Sequence, residues 1–212
     1  MAGELKLNNV SVATESGGTV TVGNSNVALS TGLSNLDGMF LLSSGEATNV
    51  ASVDFNNSVI VSSYSYYVLR VHKIIPTTDN AGGFLSFSSD NGASFLSCET
   101  GKLYSKYTGS ASSGHEHHSG TAGVQLGYQD LSNTSGLGLV LEYKIFSTQD
   151  TSRSISIVNG ITSGQNHDDV FYTWWTSGLV NKASGNASIN FIRIKFDTGT
   201  IATISYRLYG AI

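Results

Sequence analysis

The sequence has little charge, little proline and almost no cysteine. Lys, Arg, Asp and Glu make up 12% of the 212 residues, about half of the roughly 25% usual in soluble globular domains. There is one Pro, where the usual frequency of about 5% would give roughly ten. Coiled coils and charge-rich disordered segments need many charged residues, so the composition excludes both. The single cysteine, Cys98, excludes an internal disulfide and a cysteine-based zinc site, and we expect it to be a small core residue.

Clusters of positive charge and long apolar runs are also missing. The 11 Lys and Arg residues are scattered, and the formal net charge is −4, so the basic patch that nucleic acids require is absent from the sequence. No apolar run approaches the roughly 18 residues of a membrane-spanning helix. Residues 1–18 lack the basic start and apolar stretch of a secretory signal. We therefore expect no nucleic-acid binding and no membrane insertion, and we expect the protein to be made in a reducing cytosol.

Uncharged polar residues and glycine take the place of the missing charge, because Ser, Thr, Asn and Gly together exceed two fifths of the chain. Apolar residues recur with period two, and the helical period of 3.6 residues is absent from every longer window. Short alternating segments are separated by Gly, Ser and Asn, which is typical of antiparallel sheets. The sequence predicts an all-β fold, an antiparallel β-sandwich or jelly roll with a strand-rich N-terminal arm.

The C-terminal segment has the clearest alternation. Ile192, Ile194 and Phe196 fall on one face of a strand, and a second alternating strand covers residues 201–209. The turn residues 197–199 lie between them, so the pattern predicts a β-hairpin over 189–209.

Aromatic content divides the chain into two parts. Phe40 and Phe55 are the only aromatic residues before Tyr64, so the first part has too few large side chains for a core of its own. We predict an N-terminal β arm over residues 1–58, with a strand meander in 5–22, that serves attachment or oligomerisation. The β-sandwich domain would occupy residues 59–212. Exposed strand edges favour pairing with a neighbouring copy.

Histidines are concentrated in residues 108–123, TGSASSGHEHHSGTAG, whose composition predicts a loop. A zinc protease needs a second His four residues after His115, on a helix, and Ser119 stands there. If the segment is extended, His115 and His117 point the same way, and three copies around a threefold axis would offer six imidazoles to a transition metal. A solvated loop, this inter-chain metal and contact of His118 with a partner remain the alternatives; no other cofactor is expected.

A second polar group precedes an aromatic run at residues 170–175. Its adjacent oxygens are unlike the alternating ligands of calcium loops, whereas aromatic rings beside polar groups are typical of sugar-binding surfaces. One alternative is a strand with alternate rings buried, and the other is contact with a glycan or protein partner. The residues of this candidate contact are His167, Asp168, Asp169, Tyr172, Trp174 and Trp175.

Catalytic motifs are missing from the sequence. It has no nucleophile elbow, no P-loop and no glycine fingerprint that opens a helix. We therefore expect that the protein is not an enzyme.

Both ends of the chain carry distinctive segments. It opens with MAGELKLNNVSVATESGGTVTV and closes with INFIRIKFDTGTIATISYRLYGAI, together about a fifth of the sequence. These segments resemble the ends of structural proteins of tailed bacteriophages, especially those of marine and cyanobacterial hosts. The common closing form in that group is a strand ending in Phe, a Gly-containing turn and an Arg-Leu-Tyr-Gly-Ile-like tail. Here the tail is residues 207–212, and Ala211 interrupts it.

The resemblance implies a virion protein that is assembled in the host cytoplasm, forms a homotrimer and contacts other virion proteins. One role is a tail-associated fibre or adhesin that contacts a host surface glycan or receptor. The alternative is a head-decoration or cement protein whose arm clamps neighbouring capsid subunits. A polysaccharide depolymerase is less favoured, because such enzymes need paired carboxylates in a groove and usually a longer chain.

Overall fold

The computed structural model of the chain consists of β-strands and their connections. It describes residues 3–7, 10–16, 19–21, 38–108, 110–121, 123–127, 131–134, 138–152, 155–166, 170–182 and 187–212. All strand pairs in these ranges are antiparallel, which confirms the all-β antiparallel fold. Within the same ranges there is no helix of the length and apolar character needed to cross a membrane.

Several strands, such as those over residues 191–196 and 201–211, follow the alternating segments of the sequence. In chain order the strands are β1 (Gly3–Leu7), β2 (Val10–Ser16), β3 (Thr19–Thr21), β4 (Met39–Val50), β5 (Ser52–Phe55), β6 (Tyr66–Pro76), β7 (Gly83–Ser88), β8 (Cys98–Thr108), β9 (Ser110–Thr121), β10 (Val124–Gln125), β11 (Leu139–Phe146), β12 (Ile155–Gln165), β13 (Phe171–Asn181), β14 (Phe191–Phe196) and β15 (Ile201–Ala211).

The chain divides into two compact units, Met1–Phe40 and Leu41–Ile212. The first unit contains a three-stranded sheet in the order β1-β2-β3, which is the meander predicted from the alternation in residues 5–22. Residues 41–58, which their composition assigned to the arm, belong to the second unit and contribute β4 and β5 to its sheets. Val53 and Phe55 of β5 are buried in the second unit. The alternation of apolar and polar residues places them in the core, although this part of the chain has few aromatic residues.

The second unit is a sandwich of two sheets. The large sheet has eight strands in the order β4-β15-β6-β11-β12-β13-β8-β9, and the small sheet has four in the order β10-β7-β14-β5. One hydrophobic core joins them, with Phe87 and Ile194 from the small sheet and Tyr143 and Trp174 from the large sheet. Each sheet thus buries one face against the other, which is the stable arrangement for antiparallel layers.

Strands β4 to β7 alternate between the two sheets of the sandwich, and so do β13, β14 and β15. β14 pairs with β5 and β7 in the small sheet, whereas β15 pairs with β4 and β6 in the large one. The predicted C-terminal hairpin is therefore wrong: the turn 197–199, with Gly199 at a φ of 71°, crosses from one sheet to the other. The orders β4-β15-β6-β11 and β5-β14-β7-β10 interleave strands that are distant in the sequence, and the jelly-roll topology stays a prediction.

The remaining strands of the unit, β8-β9 and β12-β13, form two hairpin-like pairs that widen the large sheet beyond β11. β10 closes the adjacent end of the small sheet and contacts β8 and β13. The inner side of β8, β12 and β13 packs on the core, and their other side faces away from it.

Candidate functional site

The side of the large sheet that faces away from the core, called the outer face below, exposes many large apolar side chains. They lie on β8, β11, β12 and β13, and 38% to 61% of each is exposed: Leu103, Tyr107, Val140, Ile155, Ile161, Phe171, Trp175 and Leu179. Their neighbours along the strands, such as Lys102 and Trp174, are buried on the inner side. Contiguous apolar patches on soluble proteins commonly mark interaction sites, so the outer face is the candidate functional site.

Strand register arranges part of the outer face into rows that cross β12, β13 and β8. The first row, called the Trp175 row, places Trp175 between Ile161 on β12 and Leu103 on β8. Four residues earlier on β13, Phe171 lies opposite Tyr107 of β8, and these two form the Phe171 pair.

A row of hydroxyl groups lies between the Trp175 row and the Phe171 pair. Thr173 of β13 is flanked by Ser163 on β12 and Ser105 on β8, and these three form the hydroxyl row. The side-chain oxygens of Ser163 and Thr173 are 3.2 Å apart, within hydrogen-bonding distance. Apolar rings therefore stand on both sides of a line of groups that can each donate and accept hydrogen bonds.

A depression opens beside Trp175 because a glycine interrupts the next row. Gly101 of β8 lies between Ser177 of β13 and His117 of β9, and a Cβ atom there would have its nearest neighbour 3.8 Å away. The depression has a volume of about 490 Å³ and is lined in part by Trp175, Leu103 and Gly101. Two smaller depressions, of about 230 and 220 Å³, open around Val140 on the same face.

Charged side chains stand at the margins of the rows. On the β6 and β11 side, Arg70 Nε donates to Glu142 Oε2 over 2.7 Å. This hydrogen bond raises the pKa of Arg70 further above its usual range. Lys144 lies on β11, and His115 and His117 lie on β9 at the opposite margin. The Trp175 row, the hydroxyl row and the Phe171 pair contain no ionisable carboxylate or amine.

The histidine segment forms strand β9 at the edge of the large sheet, so the loop predicted from its composition is wrong. Pairing with β8 satisfies the backbone groups on one side of β9, and Ser and Gly permit that pairing although they do not favour it. His115 and His117 lie opposite Leu103 and Gly101, and both are exposed on the outer face, as the extended alternative predicts.

Metal binding by these histidines stays a prediction. His117 Nε2 is 3.8 Å from Glu99 Oε2. His118 points to the other side of β9, half-buried, with its Nε2 3.4 Å from Glu116 Oε2. Among the described residues, no group of three or more His, Cys, Asp or Glu side chains is close enough to hold a metal. The predicted ion would need histidines from further copies.

A buried lysine stabilises the β8-β9 pair on the inner side of the large sheet. The Lys102 side chain is fully buried, and its Nζ lies 3.0 Å from Glu116 Oε2. The same Nζ donates to Gln125 Oε1 and to the Gly127 carbonyl, each over 2.8 Å. Burial lowers the pKa of Lys102, and the hydrogen bond and charge of Glu116 oppose that shift. The lysine thus ties the edge of the large sheet to β10 and the residues after it.

The aromatic run of residues 170–175 is divided between the two faces of β13. Tyr172 and Trp174 are 6% and 0% exposed, and their stacked rings have centroids 5.1 Å apart on the inner side. Trp175 is 47% exposed on the outer face. The alternative of a strand with alternate rings buried is confirmed, so Tyr172 and Trp174 pack inside instead of reaching a partner. His167, Asp168 and Asp169 lie outside the described residues.

Most residues of the outer face were not singled out from the sequence. Leu103, Tyr107, Ile161 and Phe171 join Trp175 only because β8, β12 and β13 are neighbours in the sheet. The sequence did contain one indication of this face. Large apolar residues occupy both odd and even positions of β13, so one of the two sets had to point away from the core.

Comparison with known proteins adds no relative to this picture. No protein-family model, no curated protein and no solved structure matches the chain. The candidate site is therefore defined by its own geometry.

Proposed function

We propose that the protein is a structural protein of a tailed bacteriophage virion, a tail-associated fibre or adhesin whose outer face contacts the host surface. The observation that carries this proposal is the apolar, aromatic outer face of the large sheet, with Trp175 at 47% and Phe171 at 52% exposure. The resemblance of the two chain ends to phage structural proteins supports the phage assignment.

The composition of the outer face suits recognition. Cores of protein interfaces are enriched in aromatic residues and depleted of charge, and the rows on β12, β13 and β8 have both properties. Their side chains project from paired strands, which fix the distances between groups better than loops do. A partner can therefore bind without reorganising the backbone of the face.

A head-decoration protein is the second candidate, and the division of the chain favours it. The unit Met1–Phe40 forms a compact body with its own three-stranded sheet. In this role the first unit would clamp a neighbouring capsid subunit, and the outer face would pack on the capsid. Both candidates place the protein on the virion as a homo-oligomer.

Immunogold electron microscopy tests the proposed role. Antibodies raised against the purified protein are applied to intact phage particles from lysates of cells that produce it. Labelling at the tail is expected for the adhesin, and labelling over the head would instead identify a decoration protein. If the antibodies react with denatured virions on a blot but no gold labels intact particles, the protein is not exposed on the virion surface. If the blot shows no reaction, the protein is not a virion component.

Adsorption to cells tests the role of the outer face. The purified protein should bind host cells and reduce phage adsorption in competition. The variant Trp175→Ala should lose this competition, because it removes the one aromatic ring of the Trp175 row. Leu41→Ala is the matched control, since Leu41 is 56% exposed on β4 at the other edge of the sheet. Equal competition by both variants would show that the outer face is not the contact surface.

A further inference from the structure

We infer that the outer face binds a neutral glycan, which lies across β13 and β8 with sugar rings on Trp175 and on the Phe171 pair. The inference rests on the proposed function, because it assigns the chemistry of the host surface that the outer face contacts.

The alternation of apolar and hydroxyl rows matches the two sides of a sugar ring. The C–H face of a pyranose is apolar and packs on an aromatic ring, whose electron-rich face attracts polarised C–H groups. The rim of the sugar carries hydroxyls that need partners which both donate and accept. Thr173 and Ser105 offer such partners between Trp175 and the Phe171 pair.

The spacing of the rings suits an oligosaccharide. Phe171 and Trp175 are four residues apart on one strand, which corresponds to about 13 Å along β13. Separate sugar rings of one chain can occupy the two positions, with the hydroxyl row beneath the linkage between them. The depression at Gly101 extends the same line and is within the size range of small-ligand sites, at about 490 Å³.

The electrostatics of the face favour a neutral glycan over an acidic one. Recognition of carboxylate or sulfate groups generally uses Arg or Lys as a charged donor. The Trp175 row, the hydroxyl row and the Phe171 pair have none. The guanidinium of Arg70 at the margin is engaged by Glu142 at 2.7 Å.

A second copy of the chain fits the outer face less well. A sheet packed flat on this face would remove the hydroxyls of Ser163, Thr173 and Ser105 from water, which is costly unless each finds a partner. It would also bridge over the depressions of about 490, 230 and 220 Å³ instead of filling them. A chain of sugar rings has an uneven surface that can fill the depressions, and its hydroxyls can hydrogen-bond to those of the hydroxyl row.

Affinity electrophoresis in native gels tests the inference with the full-length protein. The gels contain dextran, mannan, galactan or laminarin as neutral probes, and dextran sulfate or alginate as anionic probes. We expect retardation by at least one neutral polysaccharide and by neither anionic one. Trp175→Ala and Phe171→Ala should each weaken that binding by roughly tenfold. Gly101→Leu, which fills the depression, should also weaken it, and Leu41→Ala should not.

Each other outcome overturns a defined part of the assignment. Retardation by none of the neutral probes, or equal retardation of the wild type and Trp175→Ala, refutes glycan binding at the outer face. If Trp175→Ala instead dissociates an oligomer in light scattering, the face is an interface between copies. Host-cell binding that depends on Trp175 without any glycan retardation leaves the adhesin role intact and refutes only the glycan. Loss of both kinds of binding in the wild type refutes both proposals.

Discussion

Burial of a thiol and a phenol makes the sandwich sensitive to alkali. Burial raises the pKa of Cys98 from 9.0 to about 12, and it raises the pKa of Tyr67 from 10.0 to about 12. The Tyr67 hydroxyl also donates to the Val61 carbonyl over 2.6 Å. Both groups keep their protons in the folded chain at a pH where the unfolded chain has lost them. Their contribution to stability is complete below about pH 9 and is lost as the pH rises toward 12.

We therefore predict that removing the thiol flattens the alkaline loss of stability. In Cys98→Ala the free energy of unfolding should fall less steeply between pH 9 and 11, by roughly 1.4 kcal/mol per pH unit. Urea unfolding at several pH values measures how the free energy of unfolding changes with pH. The loss of side-chain volume in Cys98→Ala lowers that free energy by the same amount at every pH, so it does not affect the slope. A slope equal to that of the wild type would show that the Cys98 thiol titrates normally in the folded protein.

Period-two alternation predicted the strands and their buried faces, but it could not predict their partners. Ile192 and Ile194 are buried on β14 as expected, yet β14 and β15 belong to different sheets. A hairpin and a crossover between sheets have the same alternation, so the local pattern does not distinguish them. The failure at β9 is similar, because its Ser and Gly residues indicate a loop while β8 supplies the pairing that makes it a strand.

Two glycines on neighbouring strands perform different tasks. Gly178 of β13 faces inward beneath β10, where a Cβ atom would lie 2.5 Å from Cγ2 of Val124. Only a residue without a side chain lets β10 approach β13 so closely. Gly101 of β8 faces outward, and the nearest atom to a Cβ there is the Ser177 carbonyl oxygen at 3.8 Å.

We predict that Gly178→Ala destabilises the sandwich by about 2 kcal/mol, because Val124 must shift and repack. Gly101→Ala should change the free energy of unfolding by less than about 0.5 kcal/mol. Urea denaturation of the two variants beside the wild type gives both values. If the two substitutions have equal effects, the close approach of β10 is not a determinant of stability.

At the scale of the whole molecule, the candidate site depends on contacts that are distant in sequence. Trp175 was singled out from the sequence together with Tyr172 and Trp174, but these two rings lie on the inner side. Adjacent residues of a strand point to opposite faces, so a run of aromatic residues cannot form one surface. The true neighbours of Trp175 are Leu103 and Ile161. Their placement follows from the order of the strands in the sheet, which no local pattern encodes.

The low charge of the chain permits close packing of copies, and the predicted assembly is a homotrimer. Charged residues are 12% of the sequence and the net charge is −4, so long-range repulsion between copies is weak. Light scattering should give about three times the chain mass of 22.3 kDa. A monomer at micromolar concentration would contradict the trimer.

A trimer would also determine whether the histidines of β9 can bind metal. His115 and His117 are exposed side by side on an edge strand, so a threefold axis at that edge would bring six imidazoles together, which suits an octahedral transition metal. Elemental analysis after purification without chelators should find roughly one transition ion per three chains. His115→Ala and His117→Ala should each abolish the metal, whereas His72→Ala on β6 should retain it. Six imidazoles held together at a threefold axis would take up trace metal during purification. A trimer without metal would therefore show that the threefold axis does not lie at the β9 edge.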